Sequence, residues 1–313
     1  MKFNSATWQR LLPFLSLAAL FLFLSIASPN FLTPTNLTAI VRQTATINIM
    51  ALGMTLVIVS GGIDLSVGAI LGFAGTVGAM AMAQGLPVPV GIAVGLLWGL
   101  FWGFVNGICT TSLKIPPFIV TLGTLGIVRG VTLIISGGLP VVGLPREFES
   151  LADGTLAGIP SVLLVLAVCA VLTHLVLHST KLGRYTYAIG SNKDAAVYAG
   201  IPVARYTVAV YAISGMLTGL AGMIEASRLM TGQPTAGQGY ELQVIAAVVI
   251  GGGSLTGGEG SVIGTLIGAF IMGLLSNGSD LLGVNPYVQQ ALIGAIIILA
   301  VAVDEARKRR FRQ

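Results

Sequence analysis

The sequence predicts an all-α polytopic membrane protein: one transmembrane domain of about ten helices over residues 1–313, with both termini in the cytoplasm. Three observations carry this reading. Charged residues are 9% of the chain and hydrophobic residues 55%, whereas soluble domains carry roughly 25% charged residues because water must solvate their surface. The apolar residues gather into runs, and about 20 apolar residues of helix cross a hydrocarbon core about 30 Å thick. Forty-two glycines in no collagen-like period lie among those runs, where small residues let helices approach closely. A transmembrane β-barrel and a disulfide scaffold are poor alternatives, since two-residue alternation is absent and there are two cysteines.

The expected spans follow in order. Lys2 and Arg10 precede the first run, 11–27, as in a signal peptide, but Pro29 follows and no A-x-A site is present, so an uncleaved anchor is expected. Further runs cover 39–59, 65–83, 88–110, 118–135, 159–177 and 206–229. The eighth, 242–252, is too short and is expected to borrow residues from the glycine-rich stretch after it; 262–281 and 287–303 complete the set.

Ten spans sort the basic residues unevenly. Lys2, Arg10, Lys114, Lys181, Arg184, Lys193, Arg205, Arg307, Lys308, Arg309, Arg310 and Arg312 fall on one side, twelve of the sixteen, leaving Arg42, Arg129, Arg146 and Arg228. The positive-inside rule makes the rich side cytoplasmic. The periplasmic side then receives loop 136–158, with Glu147, Glu149 and Asp153, and loop 231–241. The net charge of +5 is therefore topological, and the expected contact is membrane lipid, with no nucleic acid. Cys109 and Cys169 fall in apolar runs, where a thiol packs as a small residue. His174 and His178 stand four apart with no third ligand nearby in sequence, so no metal site is expected.

Three stretches carry possible function. Ser60-Gly-Gly-Ile-Asp-Leu-Ser-Val-Gly68 breaks two apolar runs around a carboxylate. An ionised Asp at the bilayer centre costs roughly 2.5 to 3.5 kcal/mol on insertion scales, so Asp64 should be interfacial, paired or facing water. Gly61, Gly62, Asp64 and Ser66 are candidates for a pathway or gate, and a tight turn with Asp64 capping the third helix is the competing structural role. The second stretch, Gly251-Gly-Gly-Ser-Leu-Thr-Gly-Gly-Glu-Gly-Ser261, contains neither G-x-x-x-x-G-K-[ST] nor G-x-G-x-x-G and so is no phosphate loop. A re-entrant or broken helix packed in protein is expected. Gly252, Gly253, Ser254 and Glu259 join the pathway candidates, with an N-terminal cap as the other role for Glu259. A weak echo links 257–268 to 60–72, which suits a parallel internal repeat.

The third stretch is the long cytoplasmic loop 181–205. Ser191 or Asn192 can cap a short helix, Asp194 suits its first turn, Gly200 can end it and Pro202 stops continuation. Lys193 also lies in that turn, and Ala195, Ala196, Val197, Tyr198 and Ala199 form an apolar knob with no reason to face the cytosol alone. A docking helix for a cytoplasmic partner explains the knob; an interfacial helix is the alternative.

Taken together these stretches resemble the permease subunit of a bacterial ribose-type ABC sugar importer, the group that also serves xylose and galactofuranose. The resemblance covers nearly the whole chain. It rests on Ser28-Pro-Asn-Phe-Leu-Thr-Pro-Thr-Asn-Leu37, Met50-Ala-Leu-Gly-Met-Thr-Leu-Val-Ile58, Gly61-Gly-Ile-Asp-Leu-Ser-Val-Gly68, Leu182-Gly-Arg-Tyr-Thr-Tyr-Ala-Ile-Gly-Ser-Asn192, Gln233-Pro-Thr-Ala-Gly-Gln-Gly-Tyr-Glu-Leu242 and Gly252-Gly-Ser-Leu-Thr-Gly-Gly-Glu-Gly260. It implies an inner-membrane permease that pairs with a second copy of itself, a cytoplasmic ATP-binding subunit that holds ATP and Mg, and a periplasmic sugar-binding protein. This chain would bind no cofactor of its own and would carry a small pentose or hexose sugar into the cytoplasm by alternating access. The knob would then be the coupling helix.

An ion-coupled secondary transporter is the alternative function and calls for ionisable groups at the midplane, often on broken helices. Only Asp64 and Glu225 come close, and Glu225 has Arg228 three residues on, the spacing of a helical ion pair near the outer end. An intramembrane enzyme finds no H-E-x-x-H and no Ser/His arrangement. A passive pore needs no docking knob.

Overall fold

The computed structural model describes residues 5–311, so Lys2 and Arg312 of the charge count lie outside the described residues. Among the described residues six helices are long and apolar enough to cross a membrane. They are α2 (Pro34–Val59), α4 (Val88–Ser112), α5 (Pro117–Ser136), α7 (Ser161–Ser179), α10 (Val203–Leu229) and α12 (Val262–Leu281). Shorter apolar stretches of α1 (Ser5–Ala27), α3 (Val67–Ala83), α11 (Tyr240–Ile250) and α13 (Pro286–Phe311) stand where the other four spans were expected.

Local chemistry sets the helix ends. Pro34 and Pro117 occupy first turns, where a missing N–H costs no helical bond. Thr33 caps α2 by accepting the Asn36 N–H at 3.3 Å, and α5 stops at Gly137, which takes the left-handed conformation (φ 63°). The loop after α5 departs from the all-α expectation. A 3₁₀ turn (Arg146–Glu149) and the one-turn α6 (Ser150–Asp153) lead into a minimal hairpin of β1 (Thr155–Leu156) and β2 (Ile159–Pro160). Ala157 and Gly158 turn it with φ of 52° and 79°, the positive values of a two-residue hairpin turn.

The core is built around α2, whose residues from Thr44 to Val59 are all buried. It packs against α7, α10, α11 and α12, and its polar Thr44, Asn48 and Thr55 donate to the carbonyls one turn back, of Ile40, Thr44 and Ala51, with Thr55 also hydrogen-bonded to Thr265. The second seam joins α4 to α10. Gly91, Gly95, Gly99, Gly103 and Gly107 recur every four residues and are buried on one face. A Cβ at Gly99 would collide with the Gly215 carbonyl and lie 2.8 Å from the Gly219 Cα, so the two backbones touch.

The eighth span differs from expectation. Helix α11 does not extend into the glycine-rich stretch; Gly251 ends it. Residues 231–239, expected as an external loop, run back along α3: Gly232 lies against Thr76 and Ala79, the Pro234 and Ala236 carbonyls against Gly72, and the Gly237 carbonyl against Gly68. Arg129 of α5 donates to the Pro234 and Ala236 carbonyls at 2.7 and 2.9 Å and to the Gly68 carbonyl at 3.3 Å. Those bonds satisfy acceptors that an extended chain leaves open, the condition for non-helical backbone packed among membrane helices.

Candidate functional site: the loop 181–205 and the broken segments

The loop 181–205 folds as two short helices, of which the sequence pattern anticipated the second. Thr180 caps α8 (Lys181–Ser191) by accepting the Gly183 N–H. Residues Gly183, Thr186 and Ile189, three apart, are buried against the body, and the Tyr187 hydroxyl donates to the Gly260 carbonyl at 2.7 Å. Burial pushes the Tyr187 phenol pKa up, which keeps that donor protonated.

Next comes α9 (Lys193–Tyr198). Asn192, in an extended conformation, accepts the Ala195 N–H at 2.9 Å and is its cap. Gly200, with φ 76°, closes it, and the Ile201 N–H returns to the Ala196 carbonyl. Asp194 sits in the first turn, as expected. The apolar knob is not uniform: Ala196 is 4% exposed and faces its own chain, while Val197 is 55% and Tyr198 91% exposed. The exposed edge of α9 is therefore Val197 and Tyr198, with Lys193, Ala195 and Ala199 also exposed around it.

The three stretches singled out in sequence meet at one point. Gly190 at the end of α8 lies against the Val59 carbonyl and the Gly258 N–H, and Gly258 donates to Val59 at 2.9 Å. A Cβ at Gly257 would fall 2.9 Å from the Gly61 Cα and 2.7 Å from the Gly190 carbonyl. Gly61, Gly257 and Gly258 all have positive φ, near 80°. The two echoing stretches and the loop 181–205 thus share a junction made mostly of backbone. Gly252 is exposed, while Gly253 and Ser254 are buried. Glu259 does not cap α12, because Ser261 does so by accepting the Gly264 N–H at 3.1 Å.

Beyond Gly61 the chain turns inward. Gly62 lies under Tyr211, whose hydroxyl donates to the Ile63 carbonyl at 3.2 Å. Asp64 is fully buried and accepts the Ser66 N–H at 2.8 Å and the Ser66 hydroxyl, with Asn106 of α4 at 3.4 Å. Asn106 also donates to the Ser66 hydroxyl at 2.8 Å. The carboxylate therefore organises the start of α3. Asn106 escaped the sequence reading; its one signal is an amide alone in an apolar run. A cavity of about 500 Å³ opens beside this junction, between Ser60–Gly62, the α4–α5 turn with Lys114, and the loop at Lys193.

At the opposite end Glu225 pairs with Arg228 at 2.6 Å, as its spacing implied, and also accepts from Thr46 and Tyr240. Arg42 pairs with Asp153 at 3.1 Å. Both carboxylates weighed for ion coupling are thus held by fixed neighbours. His174 and His178 stack with centroids 4.2 Å apart, and among the described residues no cluster of three His, Cys, Asp or Glu side chains is present.

Six long apolar helices, with shorter apolar helices and glycine-rich breaks between them, are the architecture of a multi-pass membrane protein. The chain belongs to the family described as the permease component of the branched-chain amino acid transport system, whose pattern matches residues 36–301. It is 46% identical over 301 residues to the ribose import permease of Bacillus subtilis (strain 168), covering 96% of this chain and 94% of that one. It is 41% identical to the ribose import permease of Escherichia coli (strain K12), over 94% and 93% of the two chains. To the D-allose transport system permease of Escherichia coli (strain K12) it is 38% identical, over 96% and 94%. No solved structure matches. As a member of this family with several apolar helices, the chain is a multi-pass protein of the inner membrane.

Proposed function

We propose that this chain is the permease of an ATP-driven importer for a small ribose-like sugar, with both termini cytoplasmic, acting as a pair of identical chains. A cytoplasmic subunit would bind and hydrolyse ATP with Mg, and a periplasmic protein would deliver the sugar. The family description names branched-chain amino acids, but relatives matched over almost their full length carry ribose and allose in their names, which favours a sugar. The observation that carries the mechanism is α9, which exposes Val197 and Tyr198 while its neighbour α8 bears directly on both broken segments. A subunit that grips α9 displaces the Gly190 contact with Gly61, Gly257 and Gly258, and with it the start of α3. Each ATPase state must bind the two permease conformations with different affinity for this to shift their populations. The secondary-transport alternative is not favoured, because the relatives matched over almost their full length are named as ribose import permeases and Glu225 is paired with Arg228.

Reconstitution tests the reading. The purified chain alone should hydrolyse no ATP, since it contains no nucleotide-binding motif. Together with its ATP-binding subunit and binding protein it should hydrolyse ATP and accumulate D-ribose in proteoliposomes. ATP turnover by the contaminant-free chain on its own overturns the proposal.

A further inference from the structure

The importer reading leaves open which surface the sugar touches, and the inserted chain 231–239 answers it. Contacts of residues 232–237 with α3 run from Ala79 down to Gly68. At 1.5 Å per residue that is about 16 Å along the helix axis, so the segment reaches well below the outer end of α3. One side is anchored: Gly232, Pro234 and Gly237 are buried against α3, and Arg129 holds the carbonyls. The other side presents uncharged polar groups. Thr235 and Gln238 are exposed, and the half-buried Gln233 donates to the Thr235 hydroxyl at 2.8 Å.

Exposed amides and hydroxyls at that depth cannot face lipid without losing their hydrogen bonds, so they face water. On α5, which Arg129 ties to this segment, a Cβ at any of the glycines Gly123, Gly126 and Gly130 would meet nothing within 4 Å. Those of the α4–α10 seam, in contrast, all press on backbone or side chains.

We infer that this side of residues 231–239 lines the sugar path, with Gln233, Thr235 and Gln238 as hydroxyl-recognising groups and the open glycine face of α5 giving clearance beside them. The ligand class is an uncharged polyhydroxylated sugar. Neutral amides and a hydroxyl offer paired donors and acceptors without an ionic preference, and the guanidinium of Arg129 is already spent on backbone carbonyls. The inference rests on the importer reading for its ligand and on packing for its location.

Cysteine labelling of the full importer in membrane vesicles tests it. In a parent carrying Cys109→Ala and Cys169→Ala, Thr235→Cys and Gln238→Cys should react with a charged, membrane-impermeant methanethiosulfonate. D-ribose should slow that reaction, and modification should lower uptake at least tenfold. Val168→Cys, on the 58% exposed apolar face of α7, should stay unreactive. Two inert cysteines, or two that react with uptake unchanged, overturn the assignment. If the parent itself takes up no sugar, the importer reading fails, and labelling still decides whether the inserted chain faces water.

Discussion

Two adjacent residues of α9 separate the lever's inner contact from its outer one. Ala196 is packed against its own chain and Val197 is open, so an aspartate has different consequences at each. Val197→Asp should leave folding and membrane insertion unchanged. It should abolish co-purification of the ATP-binding subunit and sugar uptake, since burying an unpaired charge in a partner's apolar socket costs several kcal/mol. Ala196→Asp should in addition lower the yield and melting temperature of the isolated permease, because its charge is buried within the chain. Pull-down, uptake and thermal unfolding in detergent measure the three effects. Full uptake by Val197→Asp at normal expression would remove α9 from the coupling role.

Among elements, the α4–α10 seam is the contact with least tolerance. Lipid supplies little hydrophobic drive between helices, so close packing of small residues must hold them. Gly99 and Gly215 each stand where a Cβ would strike the other's carbonyl. Gly99→Ala should therefore destabilise the permease by about 1 to 3 kcal/mol, as overpacking does in other cores, and lower its melting temperature measurably. Gly294→Ala on α13, where a Cβ meets nothing within 4 Å, should be neutral or up to about 1 kcal/mol stabilising through helix propensity. Thermal unfolding of both variants compares them, and equal effects would mean that the seam is not a close contact.

For the molecule as a whole the prediction is topological. Twelve of sixteen basic residues fall on one side of a ten-span arrangement, and the fold gathers the Ser60 break, the α8–α9 loop and the glycine-rich stretch at one end. The contacts of Arg42 with Asp153 and of Val141 with Gly232 stand at the other. Reporters fused after Gln313 or inserted at Lys193 should be active as cytoplasmic reporters. Activity of either only as a periplasmic reporter refutes the ten-span orientation.

What could be read along the chain was what neighbours in sequence decide. Partition into a membrane depends on some twenty consecutive residues, so the helices stand where the apolar runs are. Capping depends on four or five, so Asn192, Gly200 and the Glu225–Arg228 pair were legible. The composition cannot show where a broken segment ends in depth, because partners distant in the chain settle it. Arg129 holds the carbonyls of residues 234 and 236, and this chain before α11 packs along α3. Asn106 supports Asp64 from 42 residues away. Glu259 is the cap expected from the sequence, and the N-cap position of α12 falls to Ser261. The glycines at the junction of Gly61, Gly190, Gly257 and Gly258 look like ordinary loop residues until three backbones are packed together, at distances that leave no room for a side chain.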